Sequence, residues 1–149
     1  PIWILNSLAT VLLFLYAERI DLGDFAGVAD LFAQAVLKGP VGDTGVRGRD
    51  AVLALYTAST RRYEDGTPRT KHVTSNLIVE VDDGAGRASA RSYFTVFQAL
   101  PDFPLQAIIA GRYHDRFERV GGVWRFSERR MLPELFGDLS RHLLIALPS

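Results

Sequence analysis

The chain has 149 residues, 48% hydrophobic and 23% charged, ordinary globular proportions that exclude collagen, coiled coil and disorder. Seventeen Lys and Arg balance seventeen Asp and Glu, so the basic excess of a nonspecific nucleic-acid binder or of an electrostatic membrane anchor is missing. There is no cysteine, which removes disulfides, thiol nucleophiles, thiolate zinc sites and iron–sulfur clusters and suits a reducing cytoplasm.

The length predicts one domain over residues 1–149, with no repeat and no interdomain linker. The first stretch, Ile2 to Tyr16, is the most apolar. It lacks a basic leader, Asn6, Ser7 and Thr10 interrupt it, and Glu18 and Arg19 follow too soon for a bilayer span of about 20 residues. The spacing of Leu5, Leu8, Leu12 and Leu15 predicts a buried helix, and the missing initiator Met suggests a trimmed amino terminus. Asp21 to Asp24 breaks that helix, and Asp24 is the expected N-cap of a second, from Phe25 to about Leu37. Lys38 to Gly45 reads as a glycine-rich loop. Within it, Gly42-Asp43-Thr44-Gly45 has the letters of an aspartic-protease motif, but it lies between two expected helices and a chain this short would have to dimerise to bring two aspartates into one site. A third helix is predicted from Gly48 to about Arg62, with Val52, Leu53, Leu55 and Tyr56 facing inward.

After Arg69 the period changes to two. His72 to Val81 reads as a strand, Asp82 to Gly86 as a hairpin turn and Arg87 to Gln98 as the partner strand. Leu105 to Val120 and Val123 to Met131 read as two further strands around a Gly121-Gly122 turn. Pro133 is expected to open a short amphipathic helix carrying Leu135, Phe136, Leu139, Leu143 and Leu144. Helices followed by a strand meander predict an α+β fold with three N-terminal helices on a curved antiparallel sheet.

Candidate chemistry is sparse. The three histidines do not pair at a metal-binding spacing. His114 reads as part of a solvated strand face, and His142 as a helix-end or surface residue. His72 has two open readings. With Thr74, Asn76 and Ile78 it forms one side of a strand that lines a pocket, or it faces water while Val73, Leu77 and Val79 make the core. Asp21 either caps the interhelical turn, the reading composition favours, or orients a histidine as a general base.

Four segments in order give the chain a family likeness: Tyr16 to Phe25 as "YA-x-x-x-D-x-x-D-[FW]", Thr70 to Asn76 as "T-x-H-x-x-x-N", Ala90 to Val96, and Gly111 to Asp115 with Gly121 to Phe126 and Glu128 to Arg130. Over nearly its whole length the sequence resembles the SnoaL-like branch of the nuclear transport factor 2-like superfamily. That group includes scytalone dehydratase, steroid isomerase, limonene epoxide hydrolase and polyketide cyclases, besides noncatalytic members. The resemblance implies a cone-shaped fold, an apolar pocket, no cofactor, no metal, a small cyclic or aromatic-like ligand and a homodimer through the outer sheet face. Trp124, Phe126 and Tyr93 are the candidate aromatic anchors of that dimer, though core packing explains Trp124 equally well. By the same resemblance Asp21 and His72 fall on a catalytic Asp–His pair. Ile20 stands where a tyrosine precedes that Asp, and Ser92 near a second catalytic histidine. Tyr113, Asn76, Tyr56 and Ser92 are then the candidate substrate contacts. Two functions follow as expectations: a cofactor-independent lyase or isomerase, or a noncatalytic ligand-binding or subunit module.

Overall fold

The computed structural model describes residues 2–146. Its elements are α1 (Ile2–Asp21), α2 (Phe25–Leu31), β1 (Val36–Lys38), β2 (Gly45–Arg47), α3 (Arg49–Ser59), β3 (Thr70–Asp82), β4 (Arg87–Leu100), β5 (Phe103–Val120) and β6 (Val123–Phe136). Three helices cover one face of a six-stranded sheet of order β2-β1-β6-β5-β4-β3. The four long strands form an antiparallel meander.

The sheet is mixed rather than wholly antiparallel, because β1 runs parallel to β6, Val36 to Lys38 lying beside Glu128 to Arg130. The second helix accordingly stops at Leu31, short of the expected Leu37. The apolar period of Val28, Leu31, Phe32 and Ala35 continues past that point. Pairing of Val36 and Leu37 with the sheet wins there, and a Lys38–Glu128 ion pair at 2.6 Å secures the strand. At the other end of α2 the expected cap is present: Asp24 Oδ1 accepts from the Gly27 N–H at 2.8 Å.

In α1 the buried stripe is Ala9, Leu13, Tyr16 and Ile20. The helix is therefore rotated from the expected face, and Leu8 is exposed. The side chain of Leu5 lies outside the described residues. The core lies between these helices and the concave side of the sheet. There Phe32 stacks on Phe126, and Phe126 packs on Phe117, both at 4.9 Å between ring centroids. Phe126 is thus an interior residue, and Trp124 packs against the same core under Arg119. Of the three aromatic residues expected on the outer sheet face, Tyr93 is there, 51% exposed.

No carboxy-terminal helix forms among the described residues. β6 runs on to Phe136 with Pro133 opposite Gly111. Proline is tolerated there because β1 pairs only with Glu128 to Arg130, leaving that stretch of β6 without a neighbour on its other edge. Residues 137–146 then fold back as turns across the end of α3. Leu143 bridges Thr60, and the Arg61 and Leu144 N–H groups donate to His142 O and Ser59 O at 2.8 and 2.9 Å.

Candidate active site

Asp21 is the last residue of α1, and the sharp turn behind it depends on Gly23. This residue has φ +73°, and a Cβ there would lie 1.9 Å from the Gly66 carbonyl oxygen. The close approach holds the end of α1 against the start of β3. Both Asp21 oxygens are engaged by that strand. Oδ1 accepts from Thr70 Oγ1 at 2.9 Å and meets His72 Nδ1 at 2.6 Å, while Oδ2 accepts from the His72 backbone N–H at 2.8 Å. The two side chains are only 10% and 9% exposed. An ionised carboxylate can only accept. The neutral imidazole therefore carries its proton on Nδ1 and leaves the Nε2 lone pair free, the tautomer a general base needs. Asp21 caps neither helix; Asp24 does that.

The strand reading of His72 resolves into a mixture of the two alternatives. Thr70, His72 and Thr74 turn inward, and after a bulge Leu77, Val79 and Val81 do so instead. Register shifts by one residue between Ser75 and Ile78, and Asn76 sits there with φ +54°. One inserted residue exchanges the two faces of a strand. Asn76 is therefore exposed and lines a shallow outer-face cavity with Tyr93 and Arg112, away from His72. Its expected place beside the histidine is corrected. A positive φ suits Asn, and the closing N of the T-x-H-x-x-x-N motif is where that signal lay.

The other candidates do come together. Ser92 and Tyr113 are buried, inward-facing and directly opposite in the β4–β5 ladder. Ser92 Oγ is buried without a partner. Tyr16 connects them to the pair. Its ring stands edge-on to His72 and to Tyr113, with centroids 6.3 and 6.0 Å away, and its hydroxyl meets that of Tyr56 at 2.6 Å. Burial pushes the phenols of Tyr16, Tyr56 and Tyr113 above the ordinary tyrosine value, the last two strongly, with Arg129 pulling partly back. All three are neutral hydroxyls at neutral pH.

Arg129 is the largest polar group that sequence reasoning left out. Its side chain is wholly buried and lies over the Tyr113 and Tyr16 rings, 3.7 and 4.3 Å from their centroids. It forms a fork on Asp115, Nε to Oδ1 at 2.8 Å and Nη2 to Oδ2 at 3.0 Å, with Nη1 unpartnered. Burial opposes its charge, and Asp115 more than restores it, so the guanidinium stays ionised. The alternation Gly111, Tyr113, Asp115, Phe117 was the available signal, because it puts an acid in the buried set.

His142 is the second omission. It is buried rather than exposed, and its pKa is pushed down to about 4. Burial is the main cause, His72 adds to it, and Asp21 opposes it. His114 is exposed on the outer face, as read.

Tyr16 packs edge-on to His72, with Tyr56 and Tyr113 around it, so these surroundings are more polar than the expected apolar hollow. Two cavities lie away from His72. One of about 560 Å³ opens at the β3–β4 hairpin end between Glu80, Arg87 and Phe117, and another of about 380 Å³ lies around Lys38 and Arg130. Among the described residues no cluster of three His, Asp or Glu side chains suits a metal, and no helix is long and apolar enough to cross a membrane.

A model of the SnoaL-like domain matches residues 10–130, a stretch that holds the pair, the tyrosines and Arg129. The chain belongs to the SnoaL-like domain family. Solved structures share its fold. A variant of Rv3472, a function unknown protein from Mycobacterium tuberculosis, is 26% identical, with 89% of this chain and 73% of that one covered and a TM-score of 0.71. A presumed scytalone dehydratase from Novosphingobium aromaticivorans is 20% identical, with coverage of 89% and 86% and a TM-score of 0.68. ActVI-ORFA from Streptomyces coelicolor is 16% identical, with coverage of 87% and 97% and a TM-score of 0.69. No curated protein matches the chain. Below 25% identity such likeness concerns the fold, and this SnoaL-like chain's function rests on its own site.

Proposed function

We propose that the protein is a cofactor-independent acid–base enzyme of the dehydratase, isomerase or cyclase type, acting on a small cyclic or aromatic-like molecule with an acidic C–H next to a carbonyl. The observation that carries this reading is the 2.6 Å contact between His72 Nδ1 and Asp21 Oδ1. Nε2 takes the proton from the carbon. The resulting imidazolium is stabilised by Asp21 and returns the proton, to a leaving hydroxyl in a dehydration or to another carbon in an isomerisation. The neutral hydroxyls of Tyr16, Tyr56 and Tyr113 and the charged Arg129 supply donors for the oxygen on which negative charge develops. Ser92 Oγ is one further donor on the same side.

Proton abstraction can be followed without knowing the natural substrate. α-Tetralone, a bicyclic aromatic ketone, exchanges its acidic C–H for deuterium in heavy water, and NMR reads the rate. The wild-type protein is expected to accelerate exchange over an equal concentration of imidazole, and His72→Ala to abolish that acceleration with the fold intact. Exchange no faster than imidazole, or a His72→Ala rate equal to wild type, refutes the reading.

Ile20 and Ser92, standing where the resembled enzymes carry a tyrosine and a second histidine, favour a second reading, a noncatalytic module of the same fold. It predicts tight binding of α-tetralone-like molecules or of a protein partner with no exchange. A homodimer is also part of the proposal, with exposed Val73, Ile78 and Tyr93 on the outer face as its contact. Light scattering showing a monomer removes that part.

A further inference from the structure

The carboxy-terminal turns bring one more titratable group to this site. Residues 141–144 are pinned to β4, to the end of α3 and to the loop that follows it. The Gln98 amide donates both to Arg141 O, at 3.1 Å, and to Pro68 O, at 3.0 Å. The Tyr63 hydroxyl donates to Arg141 O, and the backbone of His142 and Leu144 is bonded to Arg61 and Ser59 at the end of α3. Gln98 lies opposite Thr70 in the β3–β4 ladder, two residues along from the His72–Val96 pair. The tail therefore covers the end of the sheet that carries His72, where Asp21 docks from α1.

His142 is 8% exposed, and its Nδ1 is buried with no hydrogen-bond partner. A buried polar nitrogen without a partner is destabilising where a leucine or phenylalanine could pack instead. Both His72 and Asp21 act on its charge, so all three groups lie within electrostatic reach, and burial keeps the ring neutral. A neutral imidazole beside a carboxylate-held one gives two histidines with different duties.

We infer that His142 is the second imidazole of the His72 site, presenting its unpartnered Nδ1 to a carbonyl or hydroxyl oxygen of the molecule on which His72 acts. This deepens the proposed function and rests on it. It narrows the substrate to a molecule whose oxygen substituent lies within reach of one imidazole while its acidic C–H faces the other.

The test uses α-tetralone exchange together with thermal unfolding of the full chain. His142→Leu is expected to lower kcat/KM for exchange about tenfold, the loss of one useful hydrogen bond, with Tm unchanged or higher because a stranded polar group has been removed. His142→Asn, whose amide can stand near the Nδ1 position, is expected to recover part of the rate. Addition of α-tetralone is expected to shift the His142 ring nitrogen resonances. An unchanged rate in His142→Leu, or a lowered Tm with a rate that falls only with the folded fraction, overturns the inference while a dead His72→Ala leaves the proposed function standing. A His72→Ala protein as fast as wild type removes both.

Discussion

Burial of His142 makes stability depend on pH in a way that one substitution isolates. The folded pKa is about 4, against 6.5 for a free histidine. Between these values the unfolded chain binds a proton that the folded chain refuses. Stability is therefore complete above about pH 6.5 and falls as the pH drops towards 4. At about 1.4 kcal/mol per tenfold change in proton affinity, the cost is about 2 kcal/mol by about pH 5 and about 3 kcal/mol by about pH 4. His142→Leu has no such proton to refuse. Guanidinium unfolding of both proteins at neutral pH and near pH 5 gives the difference directly. Every other ionisable side chain is common to the two proteins, so its contribution cancels to first order. The wild type should lose about 2 kcal/mol more than the variant on acidification. Parallel losses in the two proteins would refute the burial argument.

Three further outcomes are expected. Asp21→Asn sets an NH₂ group against donors on Thr70 and His72, and should cost about 2–3 kcal/mol in denaturant unfolding and at least about 10²-fold in α-tetralone exchange. Arg129→Met strands a buried Asp115 and should cost about 3–5 kcal/mol, whereas the double variant with Asp115→Leu should recover most of it, read from a double-mutant cycle. Asn76→Gly should change stability by no more than a few tenths of a kcal/mol, and Asn76→Val should cost at least about 1 kcal/mol because a β-branched residue resists φ +54°.

Periodicity and turn chemistry made most of the fold legible. The four long strands, the two hairpin turns and the Asp24 cap all follow from local patterns that burial does not override. The second helix was overextended because Phe32 and Ala35 continue a helical period, and only the distant β6 edge converts Val36 and Leu37 to strand. The tail read as a helix because its leucines fit one. Its actual shape answers to Gln98, Thr60 and Tyr63, which no local window contains. In the site, Asp21, His72, Tyr56, Ser92 and Tyr113 were candidates in the sequence. The bulge at Asn76 was not foreseen, since a single inserted residue leaves composition and alternation on either side intact. Arg129 and His142 escaped for a related reason: a charged or imidazole side chain is ordinarily exposed, and only tertiary pairing makes its burial tolerable.

The Asp21 carboxylate grips one residue twice, through the backbone amide of His72 and through its ring. Such a chelate fixes the torsion angles of the imidazole in the same act that docks helix on strand. The reactive nitrogen is thus aimed by the seam between α1 and β3, and its orientation is settled during folding. Any change that lets this seam slide, a bulkier residue at Gly23 above all, would swing the ring out of line before it loosened the rest of the molecule.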